Sequence, residues 1–501
     1  MIVDSIPPPD SAAQPRTRGR RLPRLALPGL GLAASERVFI LGLVDFVLLA
    51  VALIIAVKSH TSWLDAPGAI WANWRWFVTL AVLWTIIGQL TEVYDLARTA
   101  SAPNSILTAA AAAAATVVLY HLIPFVTPPL TSRGLGLMFS LIAVGLIVLW
   151  RGLYAVLFVQ PAFERRLLVF GAGRSGRALA DALSRTADAP TPNPYRGTGA
   201  VIVGFVDDAA ANGMPQTVAG IRVCGTSADL PRLARELVAD EVVLAITHMD
   251  TLSQGALNAL VACREQGFRV ATMPAFYERW LGRVAVEHVG RNMNAVFPID
   301  ESNFGTRLYP IVKRAGDMLV GMVGLLPLAL ITPIVGLANL LTGPGPLFYR
   351  QVRVGKGGRH FEVLKYRTMR PNAERTTGAV WAGKDDPRVT PAGWWLRKSR
   401  LDELPQVLNV LRGEMSLIGP RPERPEFTDQ LAEQIPFYRA RHAVKPGITG
   451  WAQVRFGYGA TVEDARIKLE YDLYYIRHRG FYLDTLTGLK TAAVMIRLQG
   501  K

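Results

Sequence analysis

Two adjacent carboxylates, Asp402 and Glu403, stand in the most basic part of this 501-residue chain. From Gly345 to Lys501 there are 27 Lys and Arg residues against 16 Asp and Glu residues, which is +11 of the formal net charge of +16. A carboxylate pair can supply a nucleophile for phosphorus, a proton acceptor or oxygen ligands for Mg²⁺. The same pair can also begin a helix, because acidic side chains complement the positive end of its dipole. The spacing alone leaves both interpretations open.

The cations around this pair indicate an anionic ligand. Arginine binds phosphate bidentately, and a positive field lowers the cost of bringing a carboxylate against a diphosphate. No RNA-binding signature accompanies the basic surplus, so phosphate on a lipid or a nucleotide is favoured over nucleic acid. The chain has only two cysteines, Cys224 and Cys263, which are too few for a disulfide framework or a cysteine-based zinc site.

The composition favours a membrane protein over a soluble enzyme. Half of the residues are hydrophobic, 19% are charged, and the mean hydropathy is +0.23. Residues 1–34 are basic, contain several prolines and predict a disordered tail. Residues 35–160 predict a transmembrane bundle of four helices, of which the Ala-rich third is the weakest, with apolar runs at 38–57, 70–90, 106–126 and 135–158.

Charged and aromatic residues suggest how this bundle is oriented. An interfacial belt is predicted from four tryptophans, Trp71, Trp74, Trp76 and Trp84. The flanks of the bundle are basic, and the positive-inside rule therefore predicts that both of its ends are cytoplasmic; the flanking cations are the arginines of the tail and Arg151, Arg165 and Arg166. Asp45 interrupts the first run with no evident charged partner, which favours a helix-packing role over an ion path.

Residues 161–298 predict a Rossmann-like α/β domain. An apolar strand, RRLLVF, leads into a glycine turn and an amphipathic helix, and a second strand, VIVGFV, ends at Asp207. Gly171, Gly173 and Gly176 form the G-x-G-x-x-G spacing in which backbone N–H groups approach a pyrophosphate. The same glycines can also serve only a tight turn and close helix packing, so dinucleotide binding stays open.

Residues 299–344 predict a linker and a re-entrant membrane helix hairpin. No charged residue lies between Asp317 and Arg350, a length that could cross a bilayer. Cations flank both ends of this segment, which favours the cytoplasmic side for both, and Pro327 and Pro333 interrupt it. A hairpin that enters one leaflet and returns satisfies both observations, while a fifth span is the alternative. Which proline bends the helix is not evident from the sequence.

From about Pro310 to the end, the chain resembles the bacterial sugar transferase family, the monotopic phosphoglycosyl transferases that prime exopolysaccharide and capsule synthesis. The matching stretches include KRAGD, GPGPLFYRQVRVGKGGRHFEVLKYRTM, SRLDELPQVLNVLRGEMSLIGPRPERPEF and RHAVKPGITGWAQV. With the bundle and the α/β domain, the whole chain resembles the long polyprenyl-phosphate hexose-1-phosphate transferases. The resemblance implies a mostly α catalytic domain over residues 345–501 in the bacterial cytoplasmic (inner) membrane, facing the cytoplasm.

This resemblance implies an activity and a role for individual residues. Such enzymes transfer a sugar 1-phosphate from a UDP-sugar to undecaprenyl phosphate and release UMP. Asp402 would be the nucleophile and Glu403 would assist it, with Mg²⁺ as cofactor and both acids as its candidate ligands. Candidate contacts to the substrate phosphates are four basic residues, Lys365, Arg367, Arg400 and Arg421.

Two other functional classes are weighed against this one. A membrane-anchored nucleotide-sugar oxidoreductase or dehydratase would use the glycine motif but needs a Tyr-x-x-x-Lys pair, and only Tyr309 with Lys313 has that spacing, outside the α/β domain. A transporter is disfavoured because Asp45 is a single intramembrane acid. The sugar, any ligand of the α/β domain and the oligomeric state are not evident from the sequence, although a homo-oligomer is compatible with it.

Overall fold

A computed structural model describes residues 34–66, 68–94, 102–129, 132–157, 165–185, 200–209, 217–246, 252–288, 304–342, 345–371, 386–456, 459 and 461–496. The prediction of a disordered tail over residues 1–34 lies outside these residues, apart from Ala34. Four parts follow one another along the chain: a helical bundle, an α/β domain, one long apolar helix and a mostly helical C-terminal domain.

The N-terminal part is a bundle of apolar helices. Its helices are α1 Ala34–His60, α2 Ala69–Ala72, α3 Trp74–Leu90, α4 Ala102–His121 and α5 Arg133–Leu157. The four longer ones pack on one another around a shared apolar core. By length and composition α1, α4 and α5 could cross a membrane, whereas α3 is shorter, with 17 residues. The Ala-rich third span has the lowest mean hydropathy of these three, 1.4, as predicted, and the second predicted span is the shortest.

A buried ion pair joins the first and last described helices of the bundle, α1 and α5. Asp45 on α1 lies 2.5 Å from Arg151 on α5, and both side chains are fully buried. The prediction that Asp45 lacks a charged partner is wrong, and so is the use of Arg151 as a cytoplasmic flanking charge, because a buried charge in an apolar bundle requires a partner. The predicted tryptophan belt is also wrong in part: Trp71 and Trp74 are exposed, but Trp76 and Trp84 are buried in the core.

The second part contains a six-stranded sheet. Its strands are β1 Arg165–Phe170, β2 Ala200–Val206, β3 Thr217–Val218, β4 Ile221–Gly225, β5 Glu241–Leu244 and β6 Arg269–Thr272. Their order is β3-β4-β2-β1-β5-β6, and every pairing except that of β3 with β4 is parallel. A helix lies between β1 and β2, between β4 and β5 and between β5 and β6, as short apolar strands alternating with helices predict. The helices are α6 Arg174–Arg185, α7 Leu230–Glu236, α8 Gln254–Glu265 and α9 Met273–Leu281.

The third part is one helix, α10, which runs without interruption from Phe304 to Thr342. At 1.5 Å per residue its 39 residues span about 58 Å. Pro327 and Pro333 lie inside it, and each removes one backbone donor. α10 is also long and apolar enough to cross a membrane, and most of its apolar surface is exposed. The structure therefore describes a continuous helix where the sequence predicts a hairpin, and the path of α10 relative to a bilayer stays a prediction.

The C-terminal domain is mostly helical with two small sheets. β7 Phe348–Val354 pairs antiparallel with β8 His360–Tyr366, and β9 Ser416–Ile418 pairs parallel with β10 Gly447–Thr449. Its helices are α11 Pro391–Lys398, α12 Val407–Arg412, α13 Pro425–Gln434, α14 Trp451–Arg455, α15 Val462–His478 and α16 Phe481–Ile496. Single 3₁₀ segments lie at Lys356–Gly358, Leu401–Gln406 and Tyr438–Ala443.

The α/β domain and the C-terminal domain share one hydrophobic core. Val284 and Val286, which follow α9, are buried in the same cluster as Leu473 of α15. The Tyr277 hydroxyl donates to the Glu470 carboxylate at 3.2 Å, and the indole N–H of Trp451 donates to the Gly282 carbonyl at 3.1 Å. At the other side of the domain, α16 packs against α3 of the bundle. The C-terminal domain is thus held between the bundle and the sheet.

Candidate functional site

A 3₁₀ turn, Leu401–Gln406, carries the two adjacent carboxylates. It follows α11 through Arg400, whose φ of +59° lies in the left-handed region that often ends a helix but costs a non-glycine residue energy. This reversal turns both acids inward, and Asp402 and Glu403 are only 9% and 7% exposed. The helix-capping interpretation is therefore insufficient, because a capping acid would not require burial.

Two cations hold the Glu403 carboxylate. Arg421 Nη2 donates to Glu403 Oε1 at 2.6 Å, and Lys365 Nζ, on β8, donates to the same oxygen at 3.0 Å. Burial opposes the negative charge of Glu403, but Arg421 and Lys365 outweigh it and hold the pKa of this carboxyl well below its usual range. Glu403 is therefore a fixed anion that neutralises two partly exposed cations.

Asp402 has a different environment. Among the described residues no hydrogen bond to its carboxylate is found, and burial, with the neighbouring Glu403 charge, raises its pKa above the usual value. Lys365, Arg421 and Arg397 oppose this shift. Two neighbouring acids thus differ in their pKa values, one fixed as an anion and one more basic and without a hydrogen-bond donor, which is the separation expected between a supporting acid and a reacting acid.

The predicted phosphate contacts do not all reach this pair. Lys365 and Arg421 contact Glu403, and Arg400 lies close enough to stabilise its charge. Arg367 is 5% exposed, and its Nε donates to the Pro346 carbonyl at 2.7 Å, so it holds the start of β7 in place. Its contact with substrate phosphate stays a prediction.

Sequence reasoning missed one cation of the site. Arg397, on the last turn of α11, influences Asp402 and donates from Nε to Thr368 Oγ1 at 2.9 Å. The turn that brings Arg397 over Asp402 depends on the left-handed Arg400, which no apolar pattern indicates. The available signal was the short sequence separation between Arg397 and the two acids.

The carboxylates fit a Mg²⁺ ion only in part. Mg²⁺ prefers oxygen ligands and commonly takes one or two carboxylates together with substrate phosphates. Glu403 already faces Lys365 and Arg421, and these cations would repel a metal ion at its oxygens. Among the described residues, no cation forms an ion pair with Asp402. The described residues also contain no group of three or more His, Cys, Asp or Glu side chains that could hold a metal ion. Asp402 thus fits Mg²⁺ that binds with the substrate, and Glu403 does not.

The charged end of α10 anchors the elements beside the site. Arg314 donates to the Val410 carbonyl at 2.6 Å and to that of Leu411 at 2.9 Å, which completes the C-terminus of α12. Asp317, predicted at the start of the hairpin, is 5% exposed and accepts from Ser416 Oγ and the Leu417 N–H of β9. These contacts fix α10 to the two segments that follow the carboxylate turn, α12 and β9.

The middle of α10 also contacts the C-terminal domain. A Cβ on Gly321 would lie 2.9 Å from Leu411, and one on Gly324 would lie 3.1 Å from Val407, so both glycines permit close approach to α12. Next to Pro333, the Thr332 hydroxyl lies 2.7 Å from that of Tyr366, which ends β8. The domain therefore lies along about 30 Å of this helix, from Arg314 to Thr332.

A cleft of about 460 Å³ opens behind the loop that carries Arg421. It shares Val354 and His442 with a smaller recess that Arg421 itself lines. Burial and the charges of Arg441 and Arg439 lower the pKa of His442 to about 4, so its imidazole is neutral at pH 7. The remaining lining mixes polar and apolar residues, including Gly357, His360, Pro425 and Asp429.

The glycine turn of the α/β domain is explained largely by packing. A Cβ on Gly176 would lie 2.1 Å from the Gly171 carbonyl oxygen, and Gly171 itself has a φ of +111°. Asp207, which follows β2, accepts from the Ala172 N–H of this turn at 2.7 Å. Only Gly173 has open space around it. Nucleotide binding by Gly171, Gly173 and Gly176 stays a prediction.

The Tyr-x-x-x-Lys pair of the oxidoreductase alternative has a different role. The Tyr309 hydroxyl and the Lys313 ammonium both lie 2.8 Å from Asp484 Oδ2 on α16. They fix α10 to the C-terminal helix and lie outside the α/β sheet. The geometry therefore gives no support to the oxidoreductase.

Comparison with known proteins identifies the parts of the chain. A bacterial sugar transferase model matches residues 308–498, and a CoA-binding domain model matches residues 89–252. UDP-N-acetylgalactosamine-undecaprenyl-phosphate N-acetylgalactosaminephosphotransferase of Aeromonas hydrophila is 40% identical over 51% of this chain and 59% of its own length. A UDP-glucose:undecaprenyl-phosphate glucose-1-phosphate transferase of Xanthomonas campestris pv. campestris is 40% identical over 37% of this chain and 38% of its own length.

A shorter relative is matched over most of its own length. Exopolysaccharide production protein PSS of Rhizobium leguminosarum bv. phaseoli is 39% identical over 35% of this chain and 90% of its own length. The chain thus spans less than two thirds of the length of the first two relatives and nearly all of this one.

Proposed function

Because the chain belongs to the bacterial sugar transferase family, we propose that it transfers a sugar 1-phosphate from a UDP-sugar to undecaprenyl phosphate and releases UMP. The observation that carries this proposal is the arrangement of Asp402, Glu403, Lys365 and Arg421, in which one buried acid is neutralised by two cations and its neighbour has no hydrogen-bond donor among the described residues.

The reaction has two displacement steps at one phosphorus. A carboxylate oxygen of Asp402 attacks the sugar-bound phosphorus, the bond from that phosphorus to the bridging oxygen breaks, and UMP leaves with this oxygen. A phosphate oxygen of undecaprenyl phosphate then attacks the aspartyl-phosphosugar, and the Asp402 carboxylate is released. The products are UMP and an undecaprenyl-diphosphate sugar, so the carboxylate is regenerated.

The surrounding residues suit this chemistry. Arg421, Lys365 and Arg397 place positive charge where the diphosphate must approach, and they stabilise the charge that moves to the leaving phosphate. The cleft behind Arg421 provides room for a part of the donor beyond its phosphates. Mg²⁺ bound with the diphosphate would supply further neutralisation of its charge, with Asp402 as the fitting protein ligand.

The long apolar helix supports a position at the membrane surface. If α10 crossed the bilayer, the C-terminal domain, which lies along about 30 Å of it, would have to enter the hydrocarbon as well. Cations lie on both sides of its apolar part, Lys313 and Arg314 before it and Arg350 after it. We therefore place α10 as a re-entrant or surface-lying helix and the catalytic domain at the cytoplasmic face of the bacterial inner membrane, where a lipid phosphate lies at the headgroup plane.

The sugar and the pathway are proposed at the level that the relatives allow. One relative is named for N-acetylgalactosamine, one for glucose and one for exopolysaccharide production. We propose an exopolysaccharide or capsule priming step with a hexose or N-acetylhexosamine donor.

The test is UMP release by membranes that contain the protein, with undecaprenyl phosphate, Mg²⁺ and a panel of UDP-sugars. Lipid-dependent UMP release is expected for at least one sugar, and Asp402→Asn is expected to abolish it. Arg455→Lys, an exposed change outside the site, serves as the matched control for expression and membrane insertion. No UMP release from any donor, or parental activity in Asp402→Asn, would show that the mechanism is wrong.

A further inference from the structure

The loop that carries Arg421 is held through its carbonyl groups. Two of its residues, Pro420 and Pro422, have no N–H, so donors from other segments must satisfy much of its backbone. Four consecutive carbonyls have such donors: Pro420 O from Gly447 N at 2.9 Å, Arg421 O from Arg441 Nη2 at 3.0 Å, Pro422 O from Arg353 Nη1 at 3.1 Å and Glu423 O from Val354 N at 3.0 Å. Two of these four donors are arginine side chains.

The first of these arginines, Arg441, is buried and fully engaged. Its side chain is 6% exposed and lies 2.7 Å from the Asp472 carboxylate of α15, which is 1% exposed. The same Nη2 that meets Asp472 donates to the Arg421 carbonyl, while Nη1 donates to the Tyr438 hydroxyl at 2.7 Å. A planar guanidinium can serve three acceptors in fixed directions, which an ammonium on a flexible stem cannot do.

The second arginine, Arg353, lies on β7 and reaches the loop from the β7–β8 hairpin. Arg353 precedes Val354, the last residue of β7. The Arg353 side chain and the Val354 N–H therefore bind successive carbonyls of the loop. The Arg353 guanidinium also lies 3.7 Å from the Glu423 carboxylate. Lys365, one cation of Glu403, lies on β8. The β7–β8 hairpin also holds, through Arg353, the loop that carries the other cation, Arg421.

We propose that Arg441 and Arg353 are positioning residues for phosphoryl transfer, which hold the loop so that the Arg421 guanidinium lies against Glu403 and beside Asp402. This inference rests on the proposed function. In the part of the chain that the structure describes, neither arginine forms a hydrogen bond or ion pair with the two acids; each acts through the backbone of the Arg421 loop. Since a displacement of about 1 Å in a catalytic group can cost about 100-fold in rate, loosening this loop is expected to be costly.

The test is a double-variant cycle on UMP release. Arg441→Lys and Arg353→Lys are each expected to lower kcat/KM by about 10-fold or more, and Arg421→Gln by at least as much. In the Arg421→Gln background the same lysine changes are expected to cost less than about 3-fold, because the group that they position is gone. Arg455→Lys controls for the chemistry of the substitution.

A split between kcat and KM separates positioning from general stabilisation. Arg441→Lys is expected to divide its loss between kcat and the KM for the UDP-sugar as Arg421→Gln does, because both changes withdraw the same guanidinium from the site. The inference is overturned if the losses in Arg441→Lys and Arg421→Gln multiply independently, or if the two variants divide their losses differently between kcat and KM. If Arg441→Lys does not fold, as shown by its melting curve, Arg353→Lys decides by the same two criteria.

The outcome is distinguishable from a failure of the proposed function. If the parent protein releases no UMP from any donor, the transferase mechanism itself is wrong. If the parent is active and Asp402→Asn is inactive, but the cycle is additive, only the positioning role is wrong.

Discussion

Arg421 Nη2 lies 2.6 Å from Glu403 Oε1, so this arginine pairs with the acid that is not assigned as the nucleophile. The pairing compensates the buried charge of Glu403 and leaves the adjacent Asp402 without a donor among the described residues. Two neighbours of similar chemistry thereby acquire different roles, because burial acts on both while the hydrogen-bonding cations contact only one.

The pH dependence of catalysis is expected to depend on Arg421. Burial raises the pKa of Asp402 and the Arg421 charge opposes this, so Arg421→Gln is expected to raise the pKa of Asp402 further. Because the nucleophile must be ionised, the acid limb of kcat should move to higher pH in the variant. Kinetics of UMP release between pH 4.5 and 8.5 measure this, with Arg455→Gln as the control. A limb that stays in place or moves to lower pH would contradict the assignment.

The two ends of α10 are expected to face the same side of the membrane. Single cysteines at Glu287, before α10, and at Arg350, after it, occupy exposed positions. In a background without Cys224 and Cys263, a membrane-impermeant maleimide should label both Glu287→Cys and Arg350→Cys in inverted vesicles and neither in intact cells. Labelling of the two cysteines from opposite sides would establish a membrane crossing.

The glycines of the α/β turn are expected to differ in their tolerance of alanine. Gly176→Ala would place a Cβ 2.1 Å from the Gly171 carbonyl oxygen and is expected to cost about 2 kcal/mol or more of stability. Gly173→Ala meets open space and is expected to change stability by less than about 0.5 kcal/mol. Thermal unfolding of the detergent-purified protein compares the two. Equal losses would show that the packing account of this turn is wrong.

Glu470 is expected to make stability depend on pH. Burial raises its pKa to about 7, against the charges of Arg283 and Arg466 and a hydrogen bond from Tyr277, while Glu463 adds to the rise. Because the folded protein retains this proton at a higher pH than the unfolded chain does, the contribution is full below about pH 4.5 and is lost as the pH rises toward 7.

Glu470→Gln removes this titration. Relative to the parent, the free energy of unfolding of the variant is expected to increase between pH 4.5 and 7.5 by up to about 3 kcal/mol. Chemical unfolding at several pH values measures the difference, and Glu433→Gln, at an exposed position of α13, is the control. A difference that is independent of pH, or of opposite sign, would contradict the raised pKa.

Local patterns predicted the elements better than they predicted the partners of charged residues. The apolar runs of α1, α4 and α5, the strand and glycine turn at Gly171 and the long apolar helix α10 all follow from periodicity and length. The role of Arg151 could not be predicted in this way, because a position near the end of an apolar run looks the same whether its side chain faces solvent or Asp45.

The site shows the same division. Asp402 and Glu403 could be identified because they are adjacent within a basic stretch, and Lys365 and Arg421 because of the resemblance. Arg441 and Arg353 could not, since their role depends on a tertiary contact with the Pro420–Glu423 backbone. The residues in these contacts are far apart in the sequence, so local spacing does not indicate them.

Val284 and Val286 lie upstream of the segment that matches the sugar transferase model, yet they are buried among residues of that segment. A fragment that begins at residue 308 would lack both valines, and the apolar side chains that pack against them would be exposed to water. The catalytic part of this chain therefore depends on residues upstream of the family boundary for its own hydrophobic core.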